Sequence, residues 1–319
     1  MLEVPTQADN PSPALGRHGT IAGLRRAFLA TRPPFFFASV MPVAIGTAWA
    51  SSAFHRFDGL WFGLAAAATV LAHAAANVYN DVGDDLIGAD EGNTDRIYPY
   101  TGGSRFIQSG LLSRAQMTRL ALGLAAAALL IGGLLAVLRG PGVILLGLSG
   151  LGLGLLYSMP GAQLSARGIG ETAVAVGFGA LPVLGAVWLQ TGSIDAGAVL
   201  ICIPVGAWAA AILVINEVPD IEADRRAHKR TLVVRWGVAG ARWLYSGLTV
   251  VALAASLAAL SCRALPWWYA FVALALAILG YRAMAGISTE ARSRLKRSIE
   301  LTLAIHAIGC VALILAMLA

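Results

Sequence analysis

A chain of 319 residues that is 58% hydrophobic and only 13% charged, with a mean hydropathy of +0.73, carries far more apolar surface than a water-soluble fold of that length can bury. That composition excludes a soluble globular domain and predicts an integral membrane protein. The formal net charge of +6 invites a nucleic-acid reading, which the placement of the charge makes unnecessary.

In chain order, residues 1–32 are polar, contain Pro5, Pro11 and Pro13, and lack the apolar stretch and cleavage site of a secretory signal. They read as a cytoplasmic tail with an interfacial helix around Ile21 to Leu29. Apolar runs of about 20 residues, the length that crosses a bilayer as helix, then follow near 34–54, 58–80, 117–138, 141–158, 169–190, 195–217, 241–261, 265–285 and 299–318. With the tail in the cytoplasm, the loops 81–116, 159–168, 218–240 and 286–298 share its side. Tail, loops and the helix ends beside them together hold every one of the 23 lysines and arginines except Arg56, Arg139 and Arg263. That asymmetry sets the orientation and accounts for the basic balance. The predicted fold is all-α, a nine-helix transmembrane bundle of the cell's inner (cytoplasmic) membrane, with one domain over 33–319 and no role for nucleic acid. Cys202, Cys262 and Cys310 lie in or beside apolar segments without metal-ligand spacing and read as small core residues.

Carboxylates are costly near hydrocarbon, at about 3 kcal/mol for an uncompensated charge at a helix centre. Yet 10 of the 17 acidic residues fall in two places: Asp81, Asp84, Asp85, Asp90, Glu91 and Asp95, then Glu217, Asp220, Glu222 and Asp224. Both groups follow even-numbered spans and so share the cytoplasmic face. Asn77, Asp81 and Asp84 fall at i, i+4 and i+7, and Asn216, Asp220 and Asp224 at i, i+4 and i+8, so each set is expected to line one face of a helix leaving the membrane. The similarity of N-x3-D-x2-D to N-x3-D-x3-D suggests two related halves that deliver acidic helix ends to a shared cavity.

Converging carboxylates repel one another unless a cation lies between them. Oxygen ligands without histidine or cysteine suit a hard divalent ion such as Mg²⁺, which commonly shares its site with substrate phosphates. Arg96 and Arg105 follow the first cluster, and Arg225, Arg226, Lys229 and Arg230 the second, which fits a diphosphate bridged to the metal. Two other readings stand beside this one: solvated loop charges, and an ion-coupled transporter, whose acids belong near the membrane midplane and not at its rim.

From Arg32 onward the sequence resembles the UbiA superfamily of intramembrane prenyltransferases. Asn80-Asp81-Val82-Gly83-Asp84 is similar to its N-D-x-x-D motif, and Asp220-Ile221-Glu222-Ala223-Asp224 to its D-x-x-x-D. The stretches "RPPFFFASVMPVAIGTAWA", "NDVGDDLIGAD", "GGSRFIQSGLLS", "LYSMPGAQLSARGIGE" and "HKRTLVVRWG" look most like the 1,4-dihydroxy-2-naphthoate polyprenyltransferases of menaquinone synthesis. The chain departs from that subgroup at Asn216-Glu217-Val218-Pro219-Asp220, where Asn-Asn-x-Arg-Asp is usual, and at His228, where glycine is usual. Gly161 stands where the hydroxybenzoate branch tends to have lysine, and hydroxybenzoate or homogentisate types of acceptor remain open.

The resemblance implies Mg²⁺-dependent transfer of a polyprenyl group from its diphosphate to an aromatic acceptor. Asp81, Asp84, Asp220 and Asp224 would hold the metal; Asn77, Asn80 and Asn216 would serve the surrounding hydrogen bonds; Arg105, Lys229 and Arg230 would stabilise the leaving diphosphate. Tyr157 has two readings, a contact to diphosphate or carbocation and an interfacial belt tyrosine. His73, one turn before Asn77, either meets the acceptor hydroxyl or packs in the bundle. Arg32 either binds an acceptor carboxylate or anchors its helix at the headgroups. His306 carries no assigned role, and Arg167 with Glu171 reads as an i, i+4 pair.

Overall fold

The computed structural model describes residues 20–89, 95–159 and 161–319, so the tail to residue 19 and the expected site region at Asp90 and Glu91 lie outside the described residues. Every regular element among the described residues is helical. The short α1 (Thr20–Ala30) lies where an interfacial helix was expected, with Leu24 and Phe28 exposed. A 3-10 turn at Pro33–Phe36 leads into α2 (Phe37–Phe54), followed by α3 (Gly59–Leu86), α4 (Arg114–Arg139) and α5 (Pro141–Ser158). The fifth span comprises α6 (Gly170–Ala175), a π turn at Val176–Ala180 and α7 (Leu181–Thr191). Then come α8 (Ala196–Glu217), the short α9 (Ile221–Arg226), α10 (Leu232–Ser261), α11 (Tyr269–Ala285) and α12 (Arg292–Leu318).

Eight of these segments are long and apolar enough to cross a membrane, and α11, at 17 residues, is a shorter apolar helix at the place of the eighth expected span. Helix is the form a spanning segment must take, because hydrocarbon offers no partner for a free backbone N–H or C=O. The central helix is α8: 72% of its apolar window is buried, against 6% for α5. It packs on α10, α12 and the π turn, while α3 pairs with α4 and α2 with α7. At the far end of the bundle the α8 cap residue Asp195 accepts hydrogen bonds from Ala198 N (3.1 Å) and from Trp49 Nε1 (2.8 Å), and Gln190 exchanges two backbone bonds with Asp58.

Three features of the helix boundaries shape the site. Helix α3 runs past its apolar stretch near residue 80 to Leu86, carrying Asp81, Asp84 and Asp85 on regular backbone, as the i, i+4, i+7 spacing of Asn77, Asp81 and Asp84 expected. The second acidic motif is not one helix: α8 ends at Glu217, residues 218–220 form a turn, and α9 starts at Ile221. Pro219 accounts for the break, since it has no N–H to donate to the helical ladder. The fifth span widens into its π turn just before Pro182, which has no N–H to continue the α ladder. There Gly206 of α8 lies so close that a Cβ on it would stand 2.6 Å from the Ala175 carbonyl oxygen.

Candidate active site

The helices enclose a cavity of about 1130 Å³. Most of its wall is apolar, from α3, α4, α5, α7 and the π turn, and one end is polar. Asn77, Asn80 and Asp84 reach that end from α3, Tyr157 from α5, Asn216 and Glu217 from α8, and Asp220, Asp224 and Lys229 from the α8–α9 connection and beyond. The two acidic helix ends therefore meet, as their spacing and common side predicted. The contact between them is the Lys229 ammonium, 2.7 Å from Asp84 Oδ1 and 3.3 Å from Asp224 Oδ1. Burial alone would depress the Lys229 ammonium, but Asp84 and Asp224 outweigh it and hold it well above the ordinary lysine range. Burial pushes the Asp224 carboxyl up, Lys229 pulls it part of the way back, and Asp84 adds to the rise.

Asp81 stands apart from this group. It is buried, forms an ion pair with Arg32, and accepts hydrogen bonds from the Ser104 hydroxyl and from Ser104 N (3.3 Å). One carboxylate thus ties the chain before α2, the loop after α3 and α3 itself together. Asn77 supports the same junction by donating to the Thr31 carbonyl at 3.1 Å, and Asn80 reaches across to Ser158 Oγ at 3.3 Å. Asp85 faces outward, to Arg114 at 2.6 Å and Gln108 at 3.2 Å.

The other expected residues divide. His73 lines the cavity, bonded through Nδ1 to Ser39 Oγ (2.7 Å) and edge-on to Phe178 and Phe36, with ring centroids 4.6 and 5.9 Å away. His306, with no role assigned from sequence, lines the same cavity beside Phe37. Arg32 lines it too, while Asp81, Arg105 and Arg230 do not; Arg230 is exposed, and its backbone N–H donates to the Ala166 carbonyl at 2.7 Å. The expected Arg167–Glu171 pair is not formed. Arg167 donates to the Gly161 carbonyl, its direction set by the tight loop 161–168, and Glu171 is buried with Oε1 unpartnered.

Sequence reasoning missed Ser104 as a partner of Asp81 and gave Glu217 no role of its own. Glu217 carried a signal, an acid at the last position of the most apolar helix. Ser104 carried none, because its partner lies 23 residues away on another element.

Among the described residues no three His, Cys, Asp or Glu side chains converge as a ready metal cage; between Asp84 and Asp224 the cation is an ammonium. The donor chemistry of this end nevertheless fits a hard divalent ion. Asp84, Asp220 and Asp224 line it with oxygen alone, and Asn216 Oδ1 is buried beside them without a hydrogen-bond partner.

Fold and site define a polytopic helical membrane protein with an acid-edged internal cavity. Residues 39–308 match the UbiA prenyltransferase family, and the chain belongs to that family; it is a prenyltransferase. It is 35% identical over 258 residues to a 1,4-dihydroxy-2-naphthoate octaprenyltransferase of Mycobacterium tuberculosis, covering 79% of this chain and 82% of that one. The Haemophilus influenzae enzyme of the same name is 32% identical over 274 residues, 82% of this chain and 85% of its own. Among solved structures, the apo form of a UbiA homolog from Aeropyrum pernix superposes with a TM-score of 0.67 at 22% identity, covering 89% of this chain and 98% of that chain. A UbiA homolog from Archaeoglobus fulgidus bound to GPP and Mg²⁺ superposes with a TM-score of 0.63 at 15% identity, covering 90% and 99%.

Proposed function

We propose that this prenyltransferase moves a polyprenyl group from polyprenyl diphosphate to 1,4-dihydroxy-2-naphthoate, acting as a single domain over 33–319 in the cytoplasmic membrane with its amino terminus inside. The observation that carries the reading is the two-ended cavity: acid, amide and ammonium at one end, and an apolar interior of prenyl-chain size behind it. The naphthoate acceptor rests on the relatives, and the orientation on the one-sided lysines and arginines.

Asp84, Asp220 and Asp224, with Asn216 Oδ1, are the residues that would hold Mg²⁺. When bound, the ion supplies positive charge that neutralises a diphosphate and makes it a better leaving group. Lys229 then has a second task, since the ammonium that spans two carboxylates is within reach of an anion bound among them, and it stabilises negative charge building on the departing oxygen. Arg105 and Arg230 do not line the cavity, so of these three cations the leaving diphosphate falls to Lys229. Asp81 holds Arg32 and the Ser104 loop, fixing the wall against which the donor lies. Tyr157 closes the polar end, and the apolar wall with His73, Phe37 and Phe178 keeps water from the allylic centre. As the C–O bond to diphosphate breaks, a ring carbon of the acceptor bonds to the allylic carbon, and that ring carbon restores aromaticity by releasing its own substituent, a proton or, where it carries the carboxylate, carbon dioxide.

The test is to incubate the purified protein in lipid with Mg²⁺, a labelled polyprenyl diphosphate and a panel of aromatic acids, and to weigh the products. A prenylated naphthoquinol, lost on chelation of the metal, is expected. Prenylation of hydroxybenzoate or homogentisate in place of the naphthoate would overturn the acceptor assignment, and no prenylated product at all would overturn the whole reading.

A further inference from the structure

The carboxylates at the polar end differ in how well they are compensated. Asp81 has Arg32 and Ser104, and Asp84 and Asp224 share Lys229. Glu217, the last residue of α8, is only 8% exposed, lines the cavity, and makes no ion pair among the described residues. The Thr231 hydroxyl is a polar neighbour of its carboxyl group, but Oε2 is buried with no hydrogen-bond partner. Its electrostatic neighbours are Glu171, Asp224 and Lys229, and the ammonium is already taken by Asp84 and Asp224. A buried oxygen left without a donor is costly, so the group that belongs there in the working complex brings its own hydrogen.

We infer that Glu217 Oε2 receives the hydrogen bond of a ring hydroxyl on the aromatic acceptor and so selects phenolic acceptors and sets their orientation. This rests on the prenyl-transfer reading above. In that reading the allylic carbon is bonded to the diphosphate, which sits at the polar end, and the attacking ring carbon must stand about 3–3.5 Å from it. The acceptor ring is thereby brought to the same end as Glu217. A hydroxyl there supplies the missing donor, whereas a ring carboxylate would meet Glu217 and Asp224 as like charge, so the acceptor's acid group points away from α8. A hydrogen bond from the hydroxyl to the carboxylate also raises electron density in the ring at the carbon that attacks.

The experiment pairs protein variants with matched acceptors. 1,4-Dihydroxy-2-naphthoate and its two mono-O-methyl ethers are compared in wild type, Glu217→Leu and Glu217→Gln, reading kcat and KM for the acceptor separately. In wild type, one of the two ethers loses about tenfold or more in kcat/KM relative to the parent. In Glu217→Leu the parent is lowered by a similar factor and the same ether is no worse than the parent. Glu217→Gln keeps an oxygen acceptor and retains the discrimination. Glu217→Asn, a smaller polar change that withdraws the oxygen, serves if the leucine variant does not fold, and is expected to lose the discrimination likewise. Binding of a non-ionising diphosphate analogue with Mg²⁺ stays unchanged in all variants, which separates loss of the hydroxyl contact from damage to the donor site. An ether penalty of the same size in wild type and Glu217→Leu overturns the inference while leaving prenyl transfer intact; absence of any aromatic product from wild type overturns the transfer reading instead, and the inference with it.

Discussion

The two acidic clusters look alike in sequence but are built differently. The first lies on the unbroken end of α3, where Asp81 pairs with Arg32, Asp84 with Lys229 and Asp85 with Arg114. The second lies across a turn forced by Pro219, and its end of the cavity leaves Asn216 Oδ1 and Glu217 Oε2 buried without partners. The first cluster acts mainly as a brace that fixes the wall. In the proposed reading the second is the open half, whose unmet acceptors a bound substrate and ion would complete. Like motifs thus divide a site between holding and binding, and backbone continuity decides which does which.

The largest effect expected from this division is at the shared contact. Asp224→Asn and Asp84→Asn each remove a carboxylate proposed to hold the Mg²⁺ that neutralises the diphosphate, and prenyl transfer is expected to fall by about 10²–10³-fold in kcat, on the scale of losing one well-placed electrostatic group. Both variants also require more Mg²⁺ for half-maximal rate. Asp81→Asn is the contrast: it weakens the brace to Arg32, so stability in detergent falls by up to about the 3–5 kcal/mol of a broken buried pair, read as a lower melting temperature, while the Mg²⁺ midpoint stays with wild type. A Mg²⁺ midpoint displaced equally by Asp81→Asn and Asp84→Asn would erase the distinction between brace and binding half.

Lys229→Met sharpens it next. Without the ammonium, Asp84 and Asp224 face each other uncompensated, and stability without metal drops by about 3 kcal/mol or more. Added Mg²⁺ is then expected to raise the variant's melting temperature more than the wild type's, because an ion bound only by the folded state stabilises by mass action and the variant has no ammonium to displace. Equal shifts in the two proteins would show that the ion does not take the lysine's place between the carboxylates.

How far this could be read from sequence follows the range of the interactions. Hydropathy placed the spans because burial in lipid is a property of each segment alone, and the i, i+4, i+7 spacing rightly put Asn77 and Asp84 on the cavity. The overrun of α3 to Leu86 was invisible to hydropathy, since the helix continues in polar sequence held by Arg32, Ser104 and Lys229 from elsewhere. The break at Val218–Asp220 was legible in Pro219, yet the acidic spacing was read as one helix. Asn216, Asp220 and Asp224 reach the cavity all the same, because the turn brings α9 back under it. Arg167 and Glu171 had the right spacing for a pair, but the loop geometry ahead of α6 turned the arginine to Gly161. Asp81 with Arg32, 49 residues apart, left no local trace at all.

The smallest effect concerns the residue that delivers Lys229. His228 sits at φ 58, in the left-handed region where a Cβ crowds the following carbonyl, at a cost of about 1–2 kcal/mol for an ordinary side chain. The chain must turn there because Lys229 N closes back on the Asp224 carbonyl at 2.9 Å while the Lys229 side chain points into the cavity. Glycine adopts this conformation freely but adds entropy to the unfolded chain, worth about 0.4–1 kcal/mol in the opposite sense. His228→Gly is therefore expected to raise stability by between about 0 and about 1.6 kcal/mol and to leave kcat unchanged. His228→Val, β-branched and least tolerant of positive φ, lowers both stability and rate, since it shifts the ammonium from its place between the two clusters. Melting curves and single-turnover rates for the pair provide the check: valine behaving like glycine would mean that the turn at residue 228 does not position Lys229.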